Sequence, residues 1–460
     1  MEKNFTQFIE ELIQQIGEKH VYTDEERREA YNFDGTDYRY LPEAVVEPAT
    51  TEQISKLMKL ATKYKIAVIP RGTGTGLSGG ALATNGGVIL SFLKMNKIIE
   101  IDEVNMTARV QPGLINLHLH EALAEKGLYY PPDPASYDTS SIGGNIAEDA
   151  GGPHCYKYGT TRDYILGMEV VLPNGEIIRT GVKTRKGVVG YDLNNLIISS
   201  EGTLGIVTEA VLRLIPLPQN IMTMLVFFPN IENVIASMTG FSKNRIVPGT
   251  MEFMDKACVD LLRGRIQFTI PDETQVLMII ELDGESSEIE KQMETAGEIC
   301  FENEAFDVFL ADSSHKRQGL WDVRRSFREI IKETVKYKRA EDVVVPISKI
   351  PELLAGNYAI AEKYDFVSYN YGHLGDGNVH ANMTNMVKND DVIRRGHHAF
   401  KEVFELTLNL GGTISGEHGI GITKKPYLGM ELSEESIRIQ KEIKKIFDPL
   451  NILNPGKIFD

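Results

Sequence analysis

Short apolar runs alternate with glycine-rich turns through the first 218 residues of the chain. The segment TEQISKLMKLATKY, residues 51–64, has apolar side chains at helical spacing and predicts a helix. The run IAVIP at 66–70 predicts a buried strand directly after that helix. The same reading predicts a second helix over 115–126 and further strands over 86–92, 107–113, 165–172 and 177–180. The sequence PNG between the last two strands predicts the turn of a hairpin, so this part of the chain is expected to be α+β.

The pattern changes at PLPQN, residues 216–220, which we interpret as a linker. Beyond it the pattern predicts longer strands and helices, among them strands over 224–228 and 276–282, a helix over 286–299 and a helix over 434–447. The last residues, DPLNILNPGKIF, predict an extended tail. We therefore divide the chain into segments 1–218, 219–411 and 412–460, and expect the second to be another α+β domain.

Composition indicates a globular protein without membrane spans. Of the 460 residues, 42% are hydrophobic and 25% are charged, and the sequence contains no low-complexity tract. No run approaches the roughly 18 consecutive apolar residues of a transmembrane helix. The first twenty residues lack the basic start, apolar stretch and cleavage site of a secretory signal. We expect a cytoplasmic protein.

The charge balance limits the class of partner. The chain carries 49 basic and 65 acidic residues, a net charge of −16, which argues against nucleic acid as a ligand. An anionic substrate would therefore need local positive charge. The cysteines Cys155, Cys258 and Cys300 are widely spaced and form no CxxC motif, so a disulfide framework or a built-in iron–sulfur cluster is not expected.

A glycine-rich loop, PRGTGTGLSGG at residues 70–80, is the first motif that indicates chemistry. Gly74, Gly76 and Gly79 satisfy GxGxxG, but a dinucleotide fingerprint must open a helix, and ALATNGGVILS follows here instead. The alternatives are a flexible surface turn and a loop whose backbone N–H groups converge on a phosphate. Two later segments have the same character, SSIGGNIAEDAGG at 140–152 and SSEGTLGIVTEAVLRL at 199–214.

Histidines with a nearby carboxylate suggest a metal site. In YGHLGDGNVHAN, His373 and His380 lie seven residues apart, and on an unbroken strand their side chains would face opposite ways. A bend at the intervening glycines can bring both imidazoles to one point, and SGEHGIG adds Glu417 and His418. Two histidines and one carboxylate can hold Zn²⁺ or Fe²⁺ with positions left open. The alternative is that these are ordinary surface histidines, as we interpret His397 and His398.

Together these motifs resemble the vanillyl-alcohol oxidase superfamily, in the branch of glycolate oxidase catalytic subunits and D-lactate and D-2-hydroxyglutarate dehydrogenases. The resemblance covers residues 42–459. It implies a PCMH-type FAD-binding domain of two α/β subdomains over 1–218, an α+β cap domain with an antiparallel sheet over 219–411, and a C-terminal segment, 412–460, that returns to the FAD domain. FAD is expected to be non-covalent, because the first loop contains no histidine. The cofactor residues it implies are Pro70, Arg71, Gly72, Thr73, Gly74, Thr75, Gly76, Leu77, Ser78, Pro134, Ser141, Gly144, Asn145, Gly151, Gly152, Tyr158, Gly159, Gly202, Ile206, Val207 and Asn454.

The same resemblance assigns the metal and the substrate-binding arginine. HxGDGNxH followed by GEHG implies that His373, His380 and Glu417 bind a divalent metal, Zn, Fe or Mn, beside the flavin. Leu320-Trp321-xx-Arg324 matches the family's carboxylate-binding arginine, although a solvated helix face is the alternative for such a basic run. We assign His418 as the base that removes the substrate's hydroxyl proton.

These assignments predict an FAD- and metal-dependent dehydrogenase that oxidises a small D-2-hydroxy acid, with D-lactate preferred and glycolate or D-2-hydroxyglutarate as alternatives. Electrons would pass to a partner such as an electron-transferring flavoprotein or an iron–sulfur subunit. Two other hypotheses are a non-redox flavoenzyme of the same fold, such as an alkyl-glycerone-phosphate synthase, and a flavin- or metal-binding scaffold subunit. A complete ligand set is hard to explain under either of them.

Overall fold

The structure, a computed structural model, describes residues 2–265, 269–311 and 313–459. The chain forms two compact units, each built from more than one stretch of sequence. The first unit contains Met1–Gly151, Thr160–Leu217 and Glu417–Asp460. The second unit contains Gly152–Gly159 and Pro218–Gly416.

The α-helices are numbered in chain order. They are α1 Glu2–Ile16, α2 Glu25–Glu29, α3 Thr51–Tyr64, α4 Asn116–Ala124, α5 Ile142–Glu148, α6 Cys155–Tyr158, α7 Leu193–Ile197, α8 Ile231–Lys243, α9 Lys256–Leu262, α10 Ser286–Glu302, α11 Ser314–Thr334, α12 Ile350–Lys363, α13 Asp390–Asn409, α14 Leu428–Glu431 and α15 Glu434–Phe447.

The β-strands are numbered in the same way. They are β1 Val21–Tyr22, β2 Ala44–Val46, β3 Val68–Arg71, β4 Val88–Ser91, β5 Ile98–Asp102, β6 Thr107–Val110, β7 Leu128–Tyr129, β8 Ile165–Val171, β9 Ile177–Gly181, β10 Ile206–Arg213, β11 Ile215–Pro216, β12 Asn220–Phe228, β13 Thr250–Met254, β14 Val276–Gly284, β15 Asp307–Ala311, β16 Tyr337–Val344, β17 Val367–His373 and β18 Asn378–Asn385.

Two main sheets organise the first unit. The smaller has the order β1-β2-β4-β3, in which β2, β4 and β3 run parallel. The larger, β5-β6-β10-β8-β9, is antiparallel throughout. Helices α1 and α3 pack on the parallel strands through a buried apolar cluster that includes Leu12, Leu57 and Val88. The first unit is therefore a pair of α/β layers, as the FAD-binding part was predicted to be.

The C-terminal segment joins the parallel sheet of the first unit. Leu453 forms a parallel bridge with Val68 of β3, and the Asn454 N–H donates to the Val68 carbonyl at 2.8 Å. The Asn454 side-chain amide donates to the carbonyls of Gly80 and Glu201 at 2.9 and 2.8 Å. The segment thus returns to the unit that contains the glycine-rich loops. Its backbone is not continuously extended, because Asn454 adopts a left-handed φ of 44°.

A seven-stranded antiparallel sheet forms the centre of the second unit, in the order β15-β12-β14-β13-β17-β18-β16. Residues paired directly across neighbouring strands point to the same face, so Glu252 of β13, paired with Ile279 and His373, shares their face. Helices α9 and α11 cover this face through an apolar cluster that includes Ile279, Leu320 and Phe327. Polar groups on this face therefore lie at the margin of an apolar core.

Elements with a strong local signal were predicted well. Helices α3 and α15 have the predicted bounds, and the hairpin of β8 and β9 pairs Val171 with Ile177 as PNG indicated. The glycine-rich loop leads to β4 and not to a helix, which confirms the rejection of a dinucleotide fingerprint. None of the helices described is long and apolar enough to cross a bilayer.

Candidate active site

A tight hairpin brings the two predicted histidine ligands together. His373 ends β17, a 3-10 turn follows over Leu374–Asp376, and β18 begins at Asn378. The pairs His373–Asn378 and Tyr371–His380 then place both imidazoles on one face, with ring centroids 5.2 Å apart. Gly377 has a φ of +80°, and a Cβ there would overlap the Val345 carbonyl, so the turn requires glycine.

The carboxylate of Glu417 completes a ligand set. Gly416, its neighbour in the chain, is the last residue of the second unit, and its N–H donates to Asp342 Oδ2 of β16 at 2.8 Å. One ligand atom each from His373, His380 and Glu417 lies within 4.8 Å of the others. Two imidazoles and one carboxylate at this spacing fit a divalent metal with coordination positions left for a substrate.

The buried carboxylate of Glu252 contacts the imidazole of His373. Glu252, wholly inaccessible to solvent, pairs through Oε1 with Nδ1 of His373, which is itself only 4% exposed. Its other oxygen, Oε2, accepts from Nε of Arg324 at 2.5 Å. Burial opposes ionisation of Glu252, but the charge of Arg324 and the hydrogen bonds from His373 and Arg324 outweigh it, so the pKa of this carboxyl lies below its usual value.

Arg324 is held in a fixed orientation by α11 and β17. The side chain is 7% exposed, and its Cζ lies 4.9 Å from the centroid of the Tyr371 ring. The solvated helix face considered as the alternative for Arg324 is therefore wrong. The Nε edge of the guanidinium bonds to Glu252. A substrate carboxylate would therefore have to bind to the other edge.

His418 follows Glu417 and belongs to the first unit. Its Nε2 lies 4.0 Å from Oε1 of Glu417, and the side chain is partly exposed. An imidazole in this position is chemically able to accept a proton, which is the role assigned to it from the sequence.

Several of the predicted flavin residues meet in the first unit. A Cβ added to Gly72 would overlap Oγ of Ser141, which caps α5 by accepting from the Gly144 N–H at 3.3 Å. A Cβ on Gly202 would lie 3.4 Å from Pro70, and the side-chain amide of Asn454 donates to the carbonyls of Gly80 and Glu201. The first loop, the start of α5, the loop before β10 and the C-terminal segment therefore converge.

This convergence fits the flavin that the sequence implies. Within the part of the chain that the structure describes, four side-chain atoms of the predicted flavin residues are buried without a hydrogen bond: Oγ1 of Thr73, Oγ of Ser78, Nδ2 of Asn145 and Oδ1 of Asn454. A buried polar group without a partner costs about 1–3 kcal/mol, so such atoms indicate a ligand with polar groups. A Cβ on Gly76 would meet only Glu148 Oε1 at 3.9 Å, which leaves the loop backbone open to approach.

Some of the predicted flavin residues belong to the second unit. Gly152, Tyr158 and Gly159 belong to the second unit, where the Tyr158 hydroxyl donates to Asp283 Oδ2 and Lys157 Nζ bonds to Asp283 Oδ1 at 2.8 Å. In the first unit, Pro134 accepts from the Tyr137 N–H within its own turn. Gly151, Ile206 and Val207 also lie in the first unit, the last two opening β10.

The comparisons with known proteins agree with this arrangement. The profile for FAD linked oxidases, C-terminal domain, matches residues 217–458, and that for the FAD binding domain matches residues 42–181. The glycolate oxidase subunit GlcD of Bacillus subtilis (strain 168) is 42% identical, covering 98% of this chain and 96% of its own length. The D-lactate dehydrogenase of Anaerostipes hadrus is 37% identical, covering 97% and 96%.

Among solved structures, p-cresol methylhydroxylase with substrate bound superposes with a TM-score of 0.82 at 19% identity, covering 100% of this chain and 98% of its own. At this identity the likeness concerns the fold alone. Fold and sequence together define a two-domain, FAD-dependent oxidoreductase with a PCMH-type FAD-binding domain. The chain belongs to the family of FAD-linked oxidases.

Sequence reasoning missed Glu252. It lies in TMEFM, where all the neighbouring side chains are buried and apolar or neutral. The available signal was a single charged residue in an otherwise uncharged strand, since an ionised side chain is rarely buried without a partner. Its partners lie 72 and 121 residues away in the sequence, so the pairing itself could not be predicted.

Proposed function

We propose that the protein is an FAD- and divalent-metal-dependent dehydrogenase that oxidises a small D-2-hydroxy acid to the 2-oxo acid, with D-lactate as the preferred substrate. The observation that carries the proposal is the set of ligand atoms from His373, His380 and Glu417 within 4.8 Å of one another. Relatives named as a glycolate oxidase subunit, a D-lactate dehydrogenase and a D-2-hydroxyglutarate dehydrogenase support this substrate class.

The cofactors supply chemistry that side chains lack: when bound, the metal acidifies a coordinated hydroxyl and the flavin accepts a hydride. The chain's own residues bind and orient the substrate. Arg324 offers a fixed guanidinium to the carboxylate, since its Nε edge is held by Glu252 and its face by Tyr371. His418 accepts the hydroxyl proton, and the three metal ligands keep the reacting carbon in one orientation.

We propose that the electrons leave through a partner protein, such as an electron-transferring flavoprotein or an iron–sulfur subunit. None of the three cysteines, all of which lie in the part of the chain that the structure describes, forms a disulfide. Burial raises the pKa of the Cys300 thiol to about 12 and that of Cys258 well above its usual value, so neither readily supplies the thiolate that an iron–sulfur cluster needs.

Anaerobic titration of the purified flavoprotein tests the reaction. D-lactate, glycolate and D-2-hydroxyglutarate are added separately, with L-lactate as the control for handedness, and the flavin's visible absorbance is followed. We expect D-lactate to bleach the flavin completely in protein containing metal, and more slowly after chelation, with activity restored by Mn²⁺, Zn²⁺ or Fe²⁺. If none of the D-acids or glycolate bleaches the flavin and metal analysis is blank, the proposal is wrong.

A further inference from the structure

Glu252 is a carboxylate buried inside the seven-stranded sheet, where an ionised group is energetically costly. It lies near the middle of the seven-stranded sheet, on β13 between β14 and β17, and its side chain has no solvent exposure. The residues around it on this strand are Thr250, Met251, Phe253 and Met254, all buried. Burying an ionised carboxylate costs several kcal/mol even after relaxation, so a structural role alone would be met as well by an apolar side chain.

The two oxygens of Glu252 serve two different functional groups. Oε1 pairs with Nδ1 of His373, and Oε2 accepts from Nε of Arg324 at 2.5 Å. Both neighbours are nitrogen donors, and an ionised carboxylate is an acceptor only. A proton on Nδ1 of His373 leaves the lone pair on Nε2, which is the tautomer that a metal ligand requires.

We propose that Glu252 is a positioning residue, which sets the tautomer and ring orientation of His373 for metal binding and fixes Arg324 for the substrate's carboxylate. This inference rests on the proposed function, because it assigns a role at the same site. It makes the metal affinity and the substrate affinity depend on one side chain that contacts neither ligand.

The variant Glu252→Gln separates charge from shape. An amide has one acceptor oxygen and one donor nitrogen, so it can satisfy either His373 or Arg324 but not both as donors. If its oxygen turns to Arg324, its NH₂ faces Nδ1 and shifts the His373 proton to Nε2. If its oxygen turns to His373, its NH₂ faces the guanidinium. Either arrangement removes one of the two functions.

Glu281 supplies a matched control on the same face of the sheet. It is a buried glutamate of the adjacent strand β14, and Oε2 accepts from Thr223 Oγ1 at 2.6 Å and from Trp321 Nε1 at 3.0 Å. A glutamine oxygen can accept both of these bonds, and its NH₂ then faces Nε2 of His154, which lies 3.3 Å from Oε1 of Glu281. Glu281→Gln therefore makes the same chemical change without disturbing a residue of the metal set.

The experiment is a titration of the full-length FAD-containing protein, stripped of metal with a chelator, with Mn²⁺ followed by electron paramagnetic resonance. We expect the Mn²⁺ Kd of Glu252→Gln to rise about 10–100-fold, the range for loss of a carboxylate behind a ligating histidine. If the glutamine oxygen turns to His373 instead, the Mn²⁺ Kd stays near the wild-type value, and the KM for D-lactate, measured with saturating Mn²⁺, rises. The Glu281→Gln control should stay within twofold of the wild type in both measurements.

Histidine ¹⁵N spectra of the metal-free protein give a second readout, assigned by loss of the signal in His373→Asn. We expect Nδ1 to be protonated in the wild type, and Nε2 to be protonated, or a mixture, in Glu252→Gln. If Glu252→Gln does not fold, Glu252→Asp replaces it; the shorter side chain cannot reach both partners, so its Kd should still exceed the wild-type value.

The outcomes separate the inference from the proposed function. A folded variant at position 252 that binds Mn²⁺ within twofold of the wild type, with an unchanged His373 tautomer and an unchanged KM for D-lactate, overturns the positioning role and leaves the dehydrogenase proposal intact. A wild-type protein that takes up neither Mn²⁺ nor Zn²⁺ overturns the metal-dependent function itself, whatever the tautomer.

Discussion

Substitution of Gly35 tests how much the packing of the glycine-rich loop, residues 70–80, contributes to stability. Its N–H donates to the Gly76 carbonyl at 3.0 Å, and a Cβ at this position would lie 2.7 Å from that oxygen and 2.8 Å from the Thr75 carbonyl oxygen. Ordinary contact requires about 3.5 Å, so Gly35→Ala must displace the loop backbone by about 0.8 Å. Backbone atoms cannot move aside by changing rotamer, and the whole loop has to shift.

The energetic cost follows from these contacts. Overpacking typically costs about 1–3 kcal/mol, and losing the Gly35 hydrogen bond adds about 0.5–1.5 kcal/mol. The lower entropy of the unfolded alanine variant returns about 0.4–1 kcal/mol. We therefore expect a net loss of about 2 kcal/mol in the free energy of unfolding. In a unit of this size that corresponds to a Tm lower by roughly 4–8 °C.

Gly76→Ala is the matched control, since its Cβ would meet only Glu148 Oε1 at 3.9 Å. The assay is thermal unfolding of FAD-free protein followed by circular dichroism, with FAD affinity measured separately by flavin fluorescence. We expect the Tm of Gly76→Ala to stay within 2 °C of the wild type while its FAD Kd rises at least about tenfold, because the added methyl occupies the open side of the loop. Equal Tm values for the two variants would refute the reasoning.

Three further predictions concern the second unit and the proton acceptor. Arg324→Lys replaces the planar guanidinium that Glu252 orients with an ammonium group, which cannot form two parallel bonds to a carboxylate. In steady-state assays this should raise the KM for D-lactate about 10–100-fold, with a smaller change in kcat. His418→Asn should lower the rate of flavin reduction by D-lactate about 10²–10⁴-fold without changing FAD or metal content, and an unchanged rate contradicts its role as base. Burial, with Arg328 nearby, lowers the pKa of Lys338 to about 7, so folding releases its proton between about pH 7 and its unfolded pKa. Stability therefore increases with pH across that window, and Lys338→Met should raise the Tm more at pH 6 than at pH 9.

The fold could be predicted where its cause is local. Helix α3 begins after Thr50, whose side chain accepts from the Gln53 N–H, and ends at Tyr64, because Lys65 adopts a left-handed φ of 56°. Both the cap and the apolar spacing lie within the segment itself, which is why the predicted bounds match. The segment Gly152–Gly159 has no such signal. It is short and glycine-rich, and it joins the second unit through contacts such as Lys157 with Asp283, 126 residues away.

The proposed metal ligands and the residue that supports them differ in how far the sequence could predict them. His373 and His380 belong to one hairpin, so seven residues with two turn glycines contain most of the geometry. Glu252 is placed by the register between β13 and β17, in which it faces His373 directly. Because side chains alternate along a strand, a register shift of one residue would turn Glu252 to the opposite face and bring Met251 or Phe253 against the imidazole.

The order of strands therefore has a chemical consequence. The sheet places β13 next to β17 although 112 residues separate Met254 from Val367 in the sequence, and only that adjacency gives His373 a carboxylate neighbour. Helix α11 then brings Arg324 to the second oxygen of the same carboxylate. A pair of histidines alone could be an incidental surface feature. Burying a histidine, a glutamate and an arginine together is costly in free energy unless each side chain orients its neighbour. That series is the strongest structural reason to interpret the hairpin as a metal site.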